Sequence, residues 1–264
     1  MVHDVGTSWM ISPATAARGT ELGYRDRMPF YFAGRGGVLG NVHADVVSAA
    51  MGWWEPGLVR ANWEEGMAVA DARGAARQYG RACAAWGEEH FANIDTDRFV
   101  ELAERVVATA EGSGVPLFAG WRAEPLVEAG PGRALQLIHL LREWRGGVHL
   151  AATTAVGLSP LDAILSNEGP RQAKLFGWGR EFKGDYSHLR PHHLRAEEMT
   201  NQVTLAGYER AFPPAERDEF ADLVTGIGEA VLGQPQAGPG NARTARDMKQ
   251  PGTSATQPGQ RLRP

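Results

Sequence analysis

Hydrophobic positions recur at helical spacing along most of the chain, and no period-two alternation runs long enough to specify a sheet. The clearest pattern lies in residues 135–165. Leu137, Ile138, Leu140, Leu141 and Trp144 fall in one broad sector at about 100° per residue, with Gln136, His139 and Glu143 on the opposite side. Gly146-Gly147 predicts a helix end, because two residues without Cβ carry the largest backbone entropy cost of ordering. A second helix is expected over 148–156. Gly157 stops it, Ser159 caps the next helix and Pro160 takes its first position, so a third helix carries Leu161, Ile164 and Leu165. Two helices joined by a short Gly-containing turn make a helix-turn-helix pattern.

The same periodicity predicts helices on both sides of this stretch. Asn41 is placed to cap one with the stripe Val46, Val47, Ala50, Met51, Trp54, and Pro56 opens another with Leu58, Val59 and Trp63. An alanine-rich helix carries Ala75, Ala76, Tyr79, Ala82, Cys83 and Trp86, and Asp95-Thr96-Asp97 precedes one with Phe99, Leu102, Ala103 and Val106. Residues 116–132 read as a connecting loop, and a Gly-rich loop follows Leu165 up to Pro191. Two closing helices hold Leu194, Met199, Val203 and Ala206, then Phe220, Leu223, Val224, Ile227 and Val231. The expected class is all-α. Residues 1–24 form an N-terminal segment, 25–130 a helical subdomain, and 131–233 the helix-turn-helix with the closing helices. Residues 234–264 hold too few apolar side chains to offset ordering and are expected to be disordered.

Composition narrows the picture. The apolar share of 43% and charged share of 22% are those of an ordinary soluble protein. Cys83 is the only cysteine, which excludes an intrachain disulfide and a cysteine-rich metal site and suits a reducing compartment. With no leader pattern and no apolar run long enough to span a bilayer, a cytoplasmic location without membrane association is expected. The net charge of −4 divides into +4 on residues 234–264 and −8 on residues 1–233. An acidic body repels the phosphates from which duplex affinity derives.

Several side chains carry candidate chemistry. His139 and Glu143 stand four apart on a helix, with Arg142 and His149 nearby. The spacing admits a metal but lacks the second histidine of a zinc-protease motif, so no metal is assigned and the pair is expected to face solvent or an interface. His149 and Glu143 are the nearest approach to an acid–base pair, with no nucleophile at a recognisable spacing. Cys83, in an apolar stripe, is expected to be an inert thiol. Pro191 breaks the helix that would align His188, His192 and His193. The glycines from Gly34 to Gly40 match no phosphate-loop pattern and predict a close approach of helices, from which Arg35 reaches out to an anion: Glu55, Asp45, Glu143 or a ligand. Adjacent Trp53 and Trp54 diverge on a helix, so only one can enter a given core.

Two blocks, YFAGRGGVLG with the following helix, and PLFAGWRAEP through LLREWRGGVHLAATTAVGLSPLDAIL, resemble the SalK-like helix-turn-helix family of actinobacteria. The resemblance covers most of residues 30–233 and implies a helical bundle of winged-helix ancestry. The sequence departs from the family at Gly36-Gly37-Val38 and after Gly177-Trp178, where the family's extra helix and wing are not visible. The wing is therefore expected to be reduced or absent.

These readings lead to a small-molecule-binding protein with an aromatic, Arg/His-lined pocket for an anionic or aromatic ligand, formed by Tyr31, Arg35, Trp54, His139 and Arg142. No cofactor is identified. The alternatives are a DNA-binding transcriptional regulator, and an enzyme of specialised metabolism using His149 and Glu143 on the pocket ligand. DNA is not expected as a partner, since the helix opening Ser159-Pro160-Leu161-Asp162 offers an acid where basic or amide side chains read bases. A homodimer is expected. The sign of the surface around residues 159–167 discriminates between ligand binding and regulation.

Overall fold

A computed structural model describes residues 1–179 and 181–233. In chain order the helices are α1 (Val2–Ser8), α2 (Pro13–Glu21), α3 (Arg27–Gly36), α4 (Ala44–Met51), α5 (Pro56–Met67), α6 (Ala72–His90), α7 (Asp97–Thr109), α8 (Pro116–Arg122), α9 (Gly130–Ala155), α10 (Pro160–Asn167), α11 (Pro170–Leu175), α12 (Arg190–Ala211) and α13 (Pro214–Leu232). Short 3-10 turns occupy Gly37–Leu39 and Ser187–Leu189, and among the described residues there is no strand. The all-α class expected from periodicity is the class observed. The tail expected to be disordered lies outside the described residues. Among those residues no single helix is long and apolar enough to cross a membrane.

α9 is the axis of the main core. α6, α12, α7, α1 and α8 all pack on it, and from Ala134 to Leu141 every side chain is buried. Gln136, His139 and Glu143, expected on a polar face, are 7%, 2% and 2% exposed. A helix surrounded by others has no outer face for polar groups, so these three had to find partners inside.

Gly146-Gly147 does not end the helix. α9 runs through both, because Val115 presses against Gly147, where an added Cβ would stand 2.6 Å from its Cγ1. The helical cost of each glycine, about 1 kcal/mol, is offset by the packing that surrounds this helix.

Small residues set how closely the other helices approach. Asp71 caps α6 by accepting from the Gly74 amide at 2.6 Å, and α6 turns Ala75, Ala76, Gly80 and Cys83 inward. A Cβ on Gly34 would lie 2.6 Å from Tyr79, and one on Gly37 would lie 2.1 Å from the Ala72 carbonyl oxygen. The glycine-rich tract is therefore the end of α3 laid directly on α6. Trp54 enters the main core against Phe32 and Phe176 at ring separations of 5.2 and 4.7 Å.

Trp53 turns away to a second, small core. There Ile164, Leu165 and Ala173 are buried under Trp53, Leu161, Phe176, Trp178 and Phe182. α8 and α11 occupy segments that the periodicity assigned to loops. Each is a short helix opened by a proline, Pro116 and Pro170, too short for a repeating stripe. Pro191 likewise opens α12 rather than breaking it, so His192 and His193 lie on the helix.

Candidate functional site

Most of the residues singled out for ligand binding do meet in space, around Glu143. α3 points Arg35 inward against α9, where its Nε and Nη2 donate to Glu143 Oε1 and Oε2, both at 2.8 Å. Arg35 Nη1 donates to the Tyr31 hydroxyl at 2.7 Å, which also accepts from Trp54 Nε1 at 3.4 Å. Arg142 Nη1 donates to Glu143 Oε1 at 3.0 Å, and its Nε donates to Thr7 Oγ1 at 3.0 Å. A planar guanidinium fork matched to a carboxylate is the strongest form of charged hydrogen bond.

The anion that the sequence reading left open between a ligand and several acids is thus Glu143. Arg35 and Glu143 are buried and Tyr31, Trp54 and Arg142 half-buried around them, with Glu143 in the place pictured for a ligand's carboxylate. Burial would push the Glu143 carboxyl up, but Arg35 and Arg142 outweigh it and hold the pKa at about 2. Burial likewise opposes the charge on Arg35, yet Glu143 raises its pKa overall.

His139 stands at the edge of this network. Its Nδ1 lies 3.8 Å from Glu143 Oε1, beyond hydrogen-bonding reach, and neither ring nitrogen has a partner. The rings of Trp9 and Trp121 meet it edge-on at 5.4 and 4.8 Å. Burial, reinforced by Arg142 and Arg35, depresses its pKa to about 3, so at neutral pH it is an uncharged imidazole.

His149 lies six residues beyond Glu143 on α9, about 240° around the helix, so the two residues considered as an acid–base pair face different neighbours. Its Nδ1 meets Thr200 Oγ1 at 3.0 Å, its Nε2 lies 3.4 Å from Glu197, and Trp53 stacks on it at 5.5 Å. Burial lowers the pKa of His149. Among the described residues no group of three His, Cys, Asp or Glu side chains is placed to hold a metal. Cys83 is fully buried, which pushes its thiol well above the ordinary range.

The second constellation is the helical corner above the small core. α9 and α10 meet at 99°, joined by Val156, Gly157, Leu158 and Ser159, and Gly157 takes the left-handed φ of +81° that the turn requires. Ser159 Oγ accepts from the Asp162 amide at 3.1 Å and donates to Asp162 Oδ2 at 2.6 Å. Asp162 is therefore engaged in the cap. α10 ends at Asn167, Gly169 takes a left-handed φ of +81°, and α11 starts at once with Pro170. Two anchors tie the corner down: Trp178 Nε1 donates to the Trp53 carbonyl at 2.9 Å, and the Glu55 amide to the Phe176 carbonyl at 2.9 Å.

The turn at Gly157 and the helix opened by Ser159 and Pro160 are those expected from the sequence, and a further short helix, α11, follows α10 where a loop was expected. α11 exposes Arg171 and Lys174 and half-exposes Gln172. Arg190, at the start of α12, donates to Oδ1 of Asn167 at the end of α10 at 3.1 Å. From residue 168 to 195 the sequence holds six basic side chains (Arg171, Lys174, Arg180, Lys183, Arg190, Arg195) against three acidic ones (Glu168, Glu181, Asp185), a local surplus of +3 within the −8 body.

The chain matches the model of a helix-turn-helix family over residues 1–237 and belongs to that family. No curated protein and no solved structure shows a significant match. Membership overturns the expectation that DNA is not a partner, since a helix-turn-helix fold is built to present a helix to a duplex. That expectation rested on the acid at the start of α10 and on the charge of the whole body.

Proposed function

We propose that this member of a helix-turn-helix family is a DNA-binding regulator, with α11 and the adjoining start of α12 facing the duplex. Family membership across residues 1–237 is the observation that carries the reading. The finer likeness to SalK-like members rests on the YFAGRGGVLG and LLREWRGGVH tracts. The chemistry of α11 supports it: Arg171 is suited to the guanine edge, Gln172 to adenine, and Lys174 and Arg190 to phosphate. An acidic body keeps non-specific affinity low, so binding depends on a few local cations and weakens steeply with salt.

The test is selection from a random duplex pool followed by fluorescence anisotropy at several salt concentrations. A selected sequence should bind, and Arg171→Ala with Lys174→Ala should lower affinity and reduce the salt slope by about 1 per lost phosphate contact. Failure of any sequence to be enriched, or a double variant that binds as tightly as the native chain, overturns the reading.

A further inference from the structure

α11 is six residues long, Pro170-Arg171-Gln172-Ala173-Lys174-Leu175, and its one buried side chain, Ala173, fixes which way it faces. At about 100° per residue, Arg171 and Leu175 each stand two residues from Ala173, about 200° around the helix. They share the line that points directly away from the small core. Gln172 and Lys174, one residue either side of Ala173, flank that line. Leu175 is 64% exposed, more than any other large hydrophobic side chain among the described residues. Packing does not account for it. The aromatic cover of the small core comes from residues further on, Phe176 and Trp178, and Leu175 takes no part in it. The chain thus sets an apolar side chain at the centre of a polar outer face, with an arginine one turn before it and a glutamine and a lysine at its sides.

Such a face fits a partner that is anionic along its edges and carries a small apolar group between them. The major groove of duplex DNA has that character, with phosphates along both walls and the C5-methyl of thymine as the apolar group displayed on its floor. The cations of α11 complement the walls, and the methyl is what a leucine finds between them. In a helix lying along the groove, the four residues from Arg171 to Leu175 cover about 6 Å, close to two base-pair steps of about 3.4 Å each. We propose that Leu175 is a specificity-determining residue, packing on the C5-methyl of a thymine within two base pairs of the guanine that Arg171 reads. The inference rests on the reading of α11 as the helix that faces the duplex, and adds to it a base selected by shape and apolar contact rather than by a hydrogen bond.

The test replaces thymine by deoxyuridine, which lacks only that methyl, at each thymine in turn of a duplex enriched from the random pool, and follows binding of the full chain by fluorescence anisotropy. At one thymine within two base pairs of an enriched guanine, loss of the methyl should weaken binding about fourfold, the worth of one buried methyl group. Leu175→Ala, at an exposed position where folding is not at stake, should weaken binding to the thymine duplex by a similar factor and bind the thymine and deoxyuridine duplexes alike. The comparison of the two duplexes on the native chain needs no variant at all. A native chain indifferent to every methyl, a variant that binds the thymine duplex as tightly as the native chain, or a variant that still separates thymine from deoxyuridine would each overturn the proposal while leaving DNA binding in place. If no duplex is enriched, the reading of the corner falls first and this proposal falls with it.

Discussion

Around α9 the chain buries aromatic and aliphatic side chains of many helices and places charges among them, with Arg35 and Glu143 6% and 2% exposed. α10 and α11 gather over three buried residues, Ile164, Leu165 and Ala173, and keep their cations outside. The same residue type thus has opposite consequences in the two regions. Arg35 is bound to the stability of the fold because its charge has no solvent to return to. Arg171 and Lys174 are free to meet a partner, and contribute little to holding the chain together. A guanidinium clamped by an internal carboxylate is committed to that partner, whereas an exposed one is not.

Removing the carboxylate from the main core should give the largest effect. Glu143→Ala leaves Arg35 buried without an anion and is expected to cost about 3–5 kcal/mol in urea unfolding. A loss below 1 kcal/mol would mean that Arg35 relaxes to solvent, and the contrast with α11 would collapse.

Acid should attack the same region. Glu143 has its pKa lowered from 4.5 to about 2, and a depressed carboxyl contributes stability that is present above the unfolded value and lost as pH falls through the folded one. His139 is lowered from 6.5 to about 3, so the unfolded chain binds a proton that the folded chain refuses, and this contribution also erodes as pH falls from 6.5. Stability should therefore decline from about pH 6.5 downward, and His139→Leu should flatten the upper part of the decline. An unchanged profile in that variant would place the sensitivity elsewhere, with His3, His149 and His193, all lowered by burial, as the remaining candidates.

The small core is expected to yield more gently. Leu165→Ala should cost about 2 kcal/mol and raise amide exchange in α10 and α11 while α6 and α9 stay protected. Equal loss of protection in both regions would show that they unfold as one unit. The smallest change belongs to the exposed cations: Arg171→Ala with Lys174→Ala should shift stability by no more than about 0.5 kcal/mol, leaving any loss of DNA binding attributable to the contact itself.

Much of this was legible along the chain. The all-α class followed from periodicity, as did the helices with long stripes, because a repeat over several turns leaves a signal that one face must be buried. Ser159 and Pro160 marked the start of α10 by cap chemistry that acts within four residues. Arg35 was recognised as needing an anion, with Glu143 among the candidates, since a buried arginine carries that requirement wherever it goes. α11 could have been found from Gly169-Pro170, which closes one helix and opens the next.

What the tertiary structure alone decided concerns neighbours that are remote in sequence. Gly146-Gly147 has the composition of a helix end, and only the press of Val115 on Gly147 shows why α9 continues. His139 and Glu143 have the spacing of a polar face, and only the helices that encircle α9 turn that face into an interior where one residue is clamped and the other left without a partner. Local propensities amount to about 1 kcal/mol per residue, whereas burial and the pairing of charges are worth several times that. Where the two disagree, contacts between residues remote in the chain prevail.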